Sequence, residues 1–392
     1  MSLVKQAARK KSSSFEIELA KYCDAKLMFA VVLLLGIGLI MVASSSIEIA
    51  DRAYGDPLYY FKRQFVFALM GICAGFALTK IRLTHWENSG MAILLFMVVL
   101  LVLVLIPGLG RTVNGSTRWL AVGPFGLQVS EVVKLLLIVY LAGYVVRQGK
   151  QIRESFIGFI KPMLVLVVLF TLLLLEPDFG AAMVLLITAL GMLYLAGVKF
   201  WKFGMLLLAS GISMGFVAIS SPYRVERFTV FLNPWSDPFG SGFQLTQSLI
   251  AIGSGAWTGL GLGASVQKLF YLPEAHTDFV FAVIAEELGL VGVTIVLSLY
   301  ILLIYRCFVI GKLAENKGMK FGAQIAFGIG IWFGLQAFIN IGVNTGVLPT
   351  KGLTLPFISA GGSSLLVVCM AIGLITRVYF EVHAKHSQRR IH

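Results

Sequence analysis

Apolar residues run along this chain in blocks of about twenty, separated by short polar or basic stretches. A helix rising 1.5 Å per residue needs roughly 20 such residues to cross the hydrocarbon of a bilayer. Ten blocks qualify, at residues 27–46, 63–80, 88–107, 131–147, 157–176, 178–198, 202–220, 279–305, 322–347 and 356–380. The fifth is the weakest, because Lys161-Pro162 interrupts its start; the lysine can snorkel to the interface, and proline is tolerated in a first turn. The pattern predicts an all-α, polytopic integral membrane protein of ten transmembrane helices. Residues 1–26 form a basic N-terminal tail, 27–380 one membrane domain and 381–392 a C-terminal tail. Val42-Ala43-Ser44 faintly resembles a signal-peptidase site, but an apolar core of this length with further spans behind it predicts an uncleaved first helix.

Composition narrows the class. Of 392 residues, 58% are hydrophobic and 13% charged, against roughly 25% charged in a soluble domain, and mean hydropathy is +0.88. Disordered, collagenous, coiled-coil and nucleic-acid-binding classes are excluded despite a net charge of +13. With the N-terminus inside, 22 Lys and Arg fall on the cytoplasmic side and 9 on the other. This asymmetry predicts that both termini are cytoplasmic, where the basic tail can touch anionic lipid. Cys23, Cys73, Cys307 and Cys369, and the five histidines, show no metal-ligand spacing.

Loop length is also asymmetric. The outer side carries a loop near 108–130 and a long one over 221–278, rich in Gly, Pro and aromatics and apolar enough to lie folded on the membrane face; a structureless loop of that length is uncommon unless functional. Charge at or within the membrane points to function by default. The candidates are Arg118, Glu131 and Lys134; Glu176 and Asp178; Arg224, Glu226, Arg227 and Lys268; and Glu274, Asp278, Glu286 and Glu287, all but the last two mapping to the outer side.

Asp278 is the sharpest candidate, closing the long loop and opening an apolar helix. Thr277 is a good N-cap, which places Asp278 in the first turn at the positive end of the helix dipole; it is then either a cap or a base whose pKa burial restores. Glu286 and Glu287 lie about 12 to 14 Å further along that helix and require a cation such as Lys134 or protonation. Glu176-Pro177-Asp178 reads as a tight outer turn with Asp178 capping the next span. The cluster Gly259-Leu260-Gly261-Leu262-Gly263 lacks the preceding strand of a nucleotide loop, so flexible or close-packed backbone is its reading.

Longer motifs carry a family resemblance. Asn114-Gly115-Ser116-Thr117-Arg118-Trp119, Gln128-Val129-Ser130-Glu131 with Lys134, and Glu176-Pro177-Asp178-Phe179-Gly180 are similar to those of the SEDS family of shape, elongation, division and sporulation proteins. So are Glu226-Arg227, Asn233-Pro234, Gln244 with Gln247-Ser248, Leu272-Pro273-Glu274-Ala275-His276-Thr277-Asp278-Phe279, and Glu286-Glu287-Leu288-Gly289. The run from Asn344 to Ser359, with Thr350-Lys351-Gly352 before Leu355-Pro356, and Ala275 after Pro273-Glu274, resemble the division branch more than the elongation branch. The resemblance spans about residues 27–380; Ala360 departs from it, standing where the family commonly has Tyr before Gly361-Gly362-Ser363-Ser364.

The resemblance implies a ten-helix peptidoglycan glycosyltransferase that joins lipid II into glycan strands at the periplasmic face of the cytoplasmic (inner) membrane, at the division septum. It implies a class B penicillin-binding transpeptidase and other divisome membrane proteins as partners, alongside lipid II, the nascent glycan strand and membrane lipid. Asp278 falls on the family's catalytic aspartate. Transfer from a diphosphate-linked sugar needs one base and cationic stabilisation of the leaving diphosphate, and inversion needs no protein nucleophile. Arg118, Arg224, Arg227, Lys268 and Lys351 are candidate diphosphate contacts; Lys134, Glu131, Gln244 and Ser363 complete the candidate binding set, with Thr277, Glu286, Glu287 and Asp178 supporting it. A divalent cation, Mg2+ or Mn2+, between diphosphate and a carboxylate is compatible with this chemistry; the sequence spells out no ligand set for it. Two competing readings are a lipid II flippase and a scaffold that recruits the transpeptidase. Charge and loop length concentrated on one face, with no internal repeat, favour the polymerase over a transporter.

Overall fold

The structure is a computed structural model. It describes residues 23–389 apart from 114–115, 123–124, 200, 203, 205–230, 232, 241 and 350–351. The expected seventh span, over 202–220, lies almost wholly outside the described residues. Nine helices correspond to the other nine predicted spans, seven of them long and apolar enough to cross a membrane and two shorter. With two shorter helices that are not spans, α3 and α8, they run in chain order α1 (Ala25–Tyr54), α2 (Tyr59–Thr79), the short α3 (Leu83–Asn88), α4 (Gly90–Leu105), α5 (Val129–Glu154), α6 (Phe156–Leu175), α7 (Phe179–Leu195), the loop helix α8 (Phe243–Ser254), α9 (Val280–Asn316), α10 (Lys320–Asn344) and α11 (Gly362–Arg389). The protein is embedded in the membrane.

Helix ends follow local chemistry. Asp24 caps α1 by accepting from the Leu27 N–H at 2.8 Å, and Gly55, at φ 65°, closes the other end with its N–H on the Asp51 carbonyl. The α5, α10 and α11 helices are the most buried spans. Where α2 meets α11, a β-carbon on Gly75 would strike the Cys369 carbonyl at 2.6 Å, the close backbone approach that small residues permit between membrane helices.

Two features depart from the expected simple bundle. The loop between α4 and α5 folds into an antiparallel sheet, β1 (Gly110–Val113), β2 (Ser116–Val122) and β3 (Phe125–Gln128), in that order. Strands of four, seven and four residues carry no twenty-residue signal, so the hydropathy pattern passes over them. The second is α9, which breaks at Gly289 (φ 62°, ψ −163°) about 14 Å below its start. Backbone left unpaired at that depth is costly, and the long loop repairs it. The Leu260 and Gly261 N–H groups donate to the Glu286 and Glu287 carbonyls at 2.9 and 3.0 Å, and the Leu290 and Val291 N–H groups donate to the Ala256 and Trp257 carbonyls at 3.0 and 3.1 Å. The loop therefore re-enters beside α9 instead of lying on the membrane face. Gly259 is close-packed against the Glu287 carbonyl, one of the two readings of the glycine cluster.

Candidate active site

One end of the bundle gathers residues from several segments. The first is the loop entering α9. The Glu274 carbonyl accepts the N–H groups of Thr277, Asp278 and Phe279 at 3.1, 3.1 and 3.2 Å, so the chain turns tightly with Glu274 itself at φ 56°. Thr277 does not cap α9: its hydroxyl donates to the Glu274 carboxylate at 2.7 Å, and the helix starts two residues later than expected. The cap comes from another helix. Asn344 of α10 accepts the Ala282 N–H through Oδ1 at 3.1 Å and donates through Nδ2 to the Asp278 carbonyl at 2.9 Å. Asn340 donates to the same carbonyl at 2.9 Å and to the Leu353 carbonyl at 2.6 Å.

This clamp presents the Asp278 side chain against the connection from α10 to α11, where a β-carbon on Gly352 would lie 2.6 Å from Asp278 Oδ2. Burial, and next the charge of Glu274, push the Asp278 carboxyl up to about 7, while Arg118 pulls it down. Burial also lowers the neighbouring His276, with Glu274 opposing.

Arg118 comes from β2. Its Nη1 lies 3.4 Å from Oδ1 of Asp178, and its Nε is buried without a partner. Asp178 caps α7 by accepting from the Ala181 N–H and is held by the Ser130 hydroxyl at 2.8 Å. Glu176, fully buried, has neither carboxylate oxygen hydrogen-bonded; burial, then the nearby Asp178, push it up to about 8 against the pull of Arg118. Ser363, at the start of α11, accepts from the Gln128 N–H at 3.0 Å and donates to the Gly126 carbonyl at 2.8 Å, fixing β3 to the bundle.

The remaining candidates divide. Lys134 is buried on α5, donating to Glu131 at 2.8 Å and to Gln336 at 2.9 Å, with the Trp332 ring beside it. It therefore does not serve the Glu286-Glu287 pair, a correction to the sequence expectation: Glu131, one turn away on the same helix, takes its charge. The partner of Glu287 is Lys268, whose ammonium lies 2.7 Å from Oε1 and also donates to Ser44 and to the Gly263 carbonyl. Glu286 accepts from the Ser265 hydroxyl and the Val266 N–H. Lys268 thus closes the re-entrant loop onto α9 and α1, and its contacts lead away from Asp278. Gln244 is exposed on α8. Arg224, Arg227 and Lys351 lie outside the described residues. Sequence reading gave no site role to Asn340 or Asn344, because amides carry no charge signal, and passed over the isolation of Glu176.

Among the described residues no three His, Cys, Asp or Glu side chains converge as a metal cage.

The fold and this cluster define a polytopic membrane protein with one clamped, half-buried acid and one under-partnered arginine at the same end. The chain belongs to the FtsW, RodA and SpoVE family of cell cycle proteins, whose model matches residues 25–384. It is 57% identical over 376 residues to a probable peptidoglycan glycosyltransferase FtsW of Thioalkalivibrio sulfidiphilus, covering 96% of this chain and 94% of that one. It is 52% identical over 358 residues to the protein of the same description from Coxiella burnetii, covering 91% and 96%. Among solved structures it resembles a chain from a study of how a peptidoglycan synthase complex coordinates polymerization and crosslinking, with TM-score 0.75, 30% identity and 92% and 98% coverage. It also resembles the rod shape determining protein RodA of Thermus thermophilus, with TM-score 0.68, 26% identity and 91% and 96% coverage.

Proposed function

We propose that this chain is a peptidoglycan glycosyltransferase in which Asp278 is the general base. The observation that carries the reading is the position of that carboxyl, on a residue clamped by Asn340 and Asn344 at the entry to α9 and set against Gly352, where burial raises it to about 7 and Arg118 opposes. A base with this value is ionised in part at working pH yet basic enough to take a proton in the transition state. The acceptor sugar 4-hydroxyl gives its proton to Asp278 as its oxygen bonds to the anomeric carbon. The anomeric carbon to phosphate-oxygen bond breaks on the opposite face, inverting the centre, and the lipid diphosphate leaves with the electron pair. Arg118, with one long ion pair and a free buried Nε, is available to hold the charge that develops on that leaving group.

The similarity to FtsW proteins and the family's cell cycle description support septal wall synthesis in the inner membrane, with the site facing the periplasm. The likeness to a chain of a polymerizing and crosslinking complex supports a class B penicillin-binding transpeptidase as partner.

Glycan synthesis from lipid II in detergent, where there are no two sides to cross, tests the reading. Wild type supplied with the transpeptidase is expected to make chains and Asp278→Asn none. No chains from either, alongside lipid II crossing in proteoliposomes, would favour a flippase.

A further inference from the structure

We propose that Asn340 and Asn344 of α10 are positioning residues for the base, setting where the Asp278 carboxyl stands through its backbone. The inference rests on the assignment of Asp278 above. Both amides donate to one carbonyl, that of Asp278 itself, at 2.9 Å each. Asn344 uses its other end to cap α9 at Ala282, and Asn340 shares its amine with Leu353, next to the Gly352 that the Asp278 carboxylate touches. The residue carrying the base is thereby fixed on two sides by side chains that bond its backbone carbonyl. One side of this arrangement is the start of α9; the other is the segment that crosses to α11. The amides lie four residues apart on α10, on one face, and both are fully buried or nearly so, Asn344 at 0% and Asn340 at 1% exposure. A helix cap needs only one acceptor. A second amide on the same carbonyl, bridging to the opposite wall, adds nothing to the cap and restricts the loop instead.

The charges that act on the carboxyl held this way are Glu274 on its own loop and Arg118 on β2, while α10 offers it none. Freed from the clamp, the side chain moves toward water, and two quantities change together. Displacement of a reacting group by about 1 Å costs on the order of 100-fold in rate, so kcat per folded molecule falls for Asn340→Ala and more for Asn344→Ala, with KM for lipid II within twofold. The acid limb of the rate profile moves to lower pH, because the burial that raised the carboxyl is relieved.

The test is polymerisation by the full-length protein with its transpeptidase, normalised to folded protein by size-exclusion, at a series of pH values, with Asp278→Asn in parallel. If Asn344→Ala fails to fold, Asn340→Ala, which spares the cap on Ala282, and Gly352→Ala, which keeps every hydrogen bond but presses on the carboxylate, carry the comparison. A fall in kcat with a shifted acid limb supports the inference. Wild-type kcat and an unmoved limb in variants that are merely less stable overturn it, provided Asp278→Asn is inactive. Activity in Asp278→Asn would overturn the assignment of the base first, and this inference with it.

Discussion

Lys268 and Glu287 meet at 2.7 Å inside the bundle, the carboxylate fully buried and the lysine nearly so. The pair joins the re-entrant loop to α9, and Ser44 of α1 completes it by bonding to both partners. Removing one member of a buried pair leaves an uncompensated charge, at a typical cost of about 3 to 5 kcal/mol.

Lys268→Ala is therefore expected to lose thermal stability in detergent by that order, and Lys268→Met combined with Glu287→Gln to recover most of it. Turnover per folded molecule should stay close to wild type. A Lys268→Ala protein of normal melting temperature with a raised KM for lipid II would restore the lysine to the diphosphate site.

The acid residues predict opposite pH trends for activity and stability. Asp278 at about 7 and Glu176 at about 8 both lie above the ordinary carboxylate range near 4. Between these values the folded protein binds more protons than the unfolded chain, so stability falls as pH rises from about 4 to about 8. With Asp278 as the proposed base, activity should rise through pH 7 as that carboxyl ionises. Melting temperature should be higher at pH 5.5 than at pH 8.5 and synthesis slower. Glu176→Gln should flatten the stability trend, because it removes a charge that has no hydrogen-bond donor. A melting temperature independent of pH would show these carboxyls to be ordinary.

Arg118 lowers both acids, and the proposed reaction also gives it the leaving group. Arg118→Ala should lower kcat/KM by about 10- to 100-fold, the equivalent of one charge-assisted hydrogen bond of about 1.5 to 3 kcal/mol. It should also move the acid limb to higher pH, since the cation that pulls Asp278 down is gone. Arg118→Lys should restore the limb more fully than the rate, because lysine keeps the charge but not the planar fork. An unmoved limb in Arg118→Ala would separate the two residues.

The spans were legible because hydrocarbon thickness imposes a length on apolar runs, and nine of the ten appear among the described residues. Asp278 was visible as a lone acid at a helix start. How it is held was not: the expected Thr277 cap is local, whereas the actual cap comes from Asn344, 62 residues away from the Ala282 it serves. Ion pairing failed for the same reason. Lys134 and Lys268 are equally plausible partners for Glu287 in a linear reading, and only the break at Gly289, which admits the loop, decides between them. The three short strands lie below the length at which hydropathy speaks.

That break makes the last prediction. Gly253 and Gly255 stand at the end of α8, two residues apart, in opposite surroundings. A β-carbon on Gly253 meets nothing within 4 Å, while one on Gly255 would run into the Ala285 carbonyl of α9. Gly253→Ala should be neutral or stabilising by up to about 1 kcal/mol, the helix propensity difference. Gly255→Ala must push the loop off α9, by overpacking that typically costs about 1 to 3 kcal/mol, and it uncovers the carbonyls and N–H groups on both sides of Gly289 that the loop satisfies. The loss should be read directly by hydrogen exchange, since the Leu290 and Val291 amides donate to Ala256 and Trp257 only while the loop is seated. Faster exchange at those two amides in Gly255→Ala, with protection of the α10 amides unchanged, is the expected result. Equal protection in the two variants would mean that α9 can hold its break without the loop.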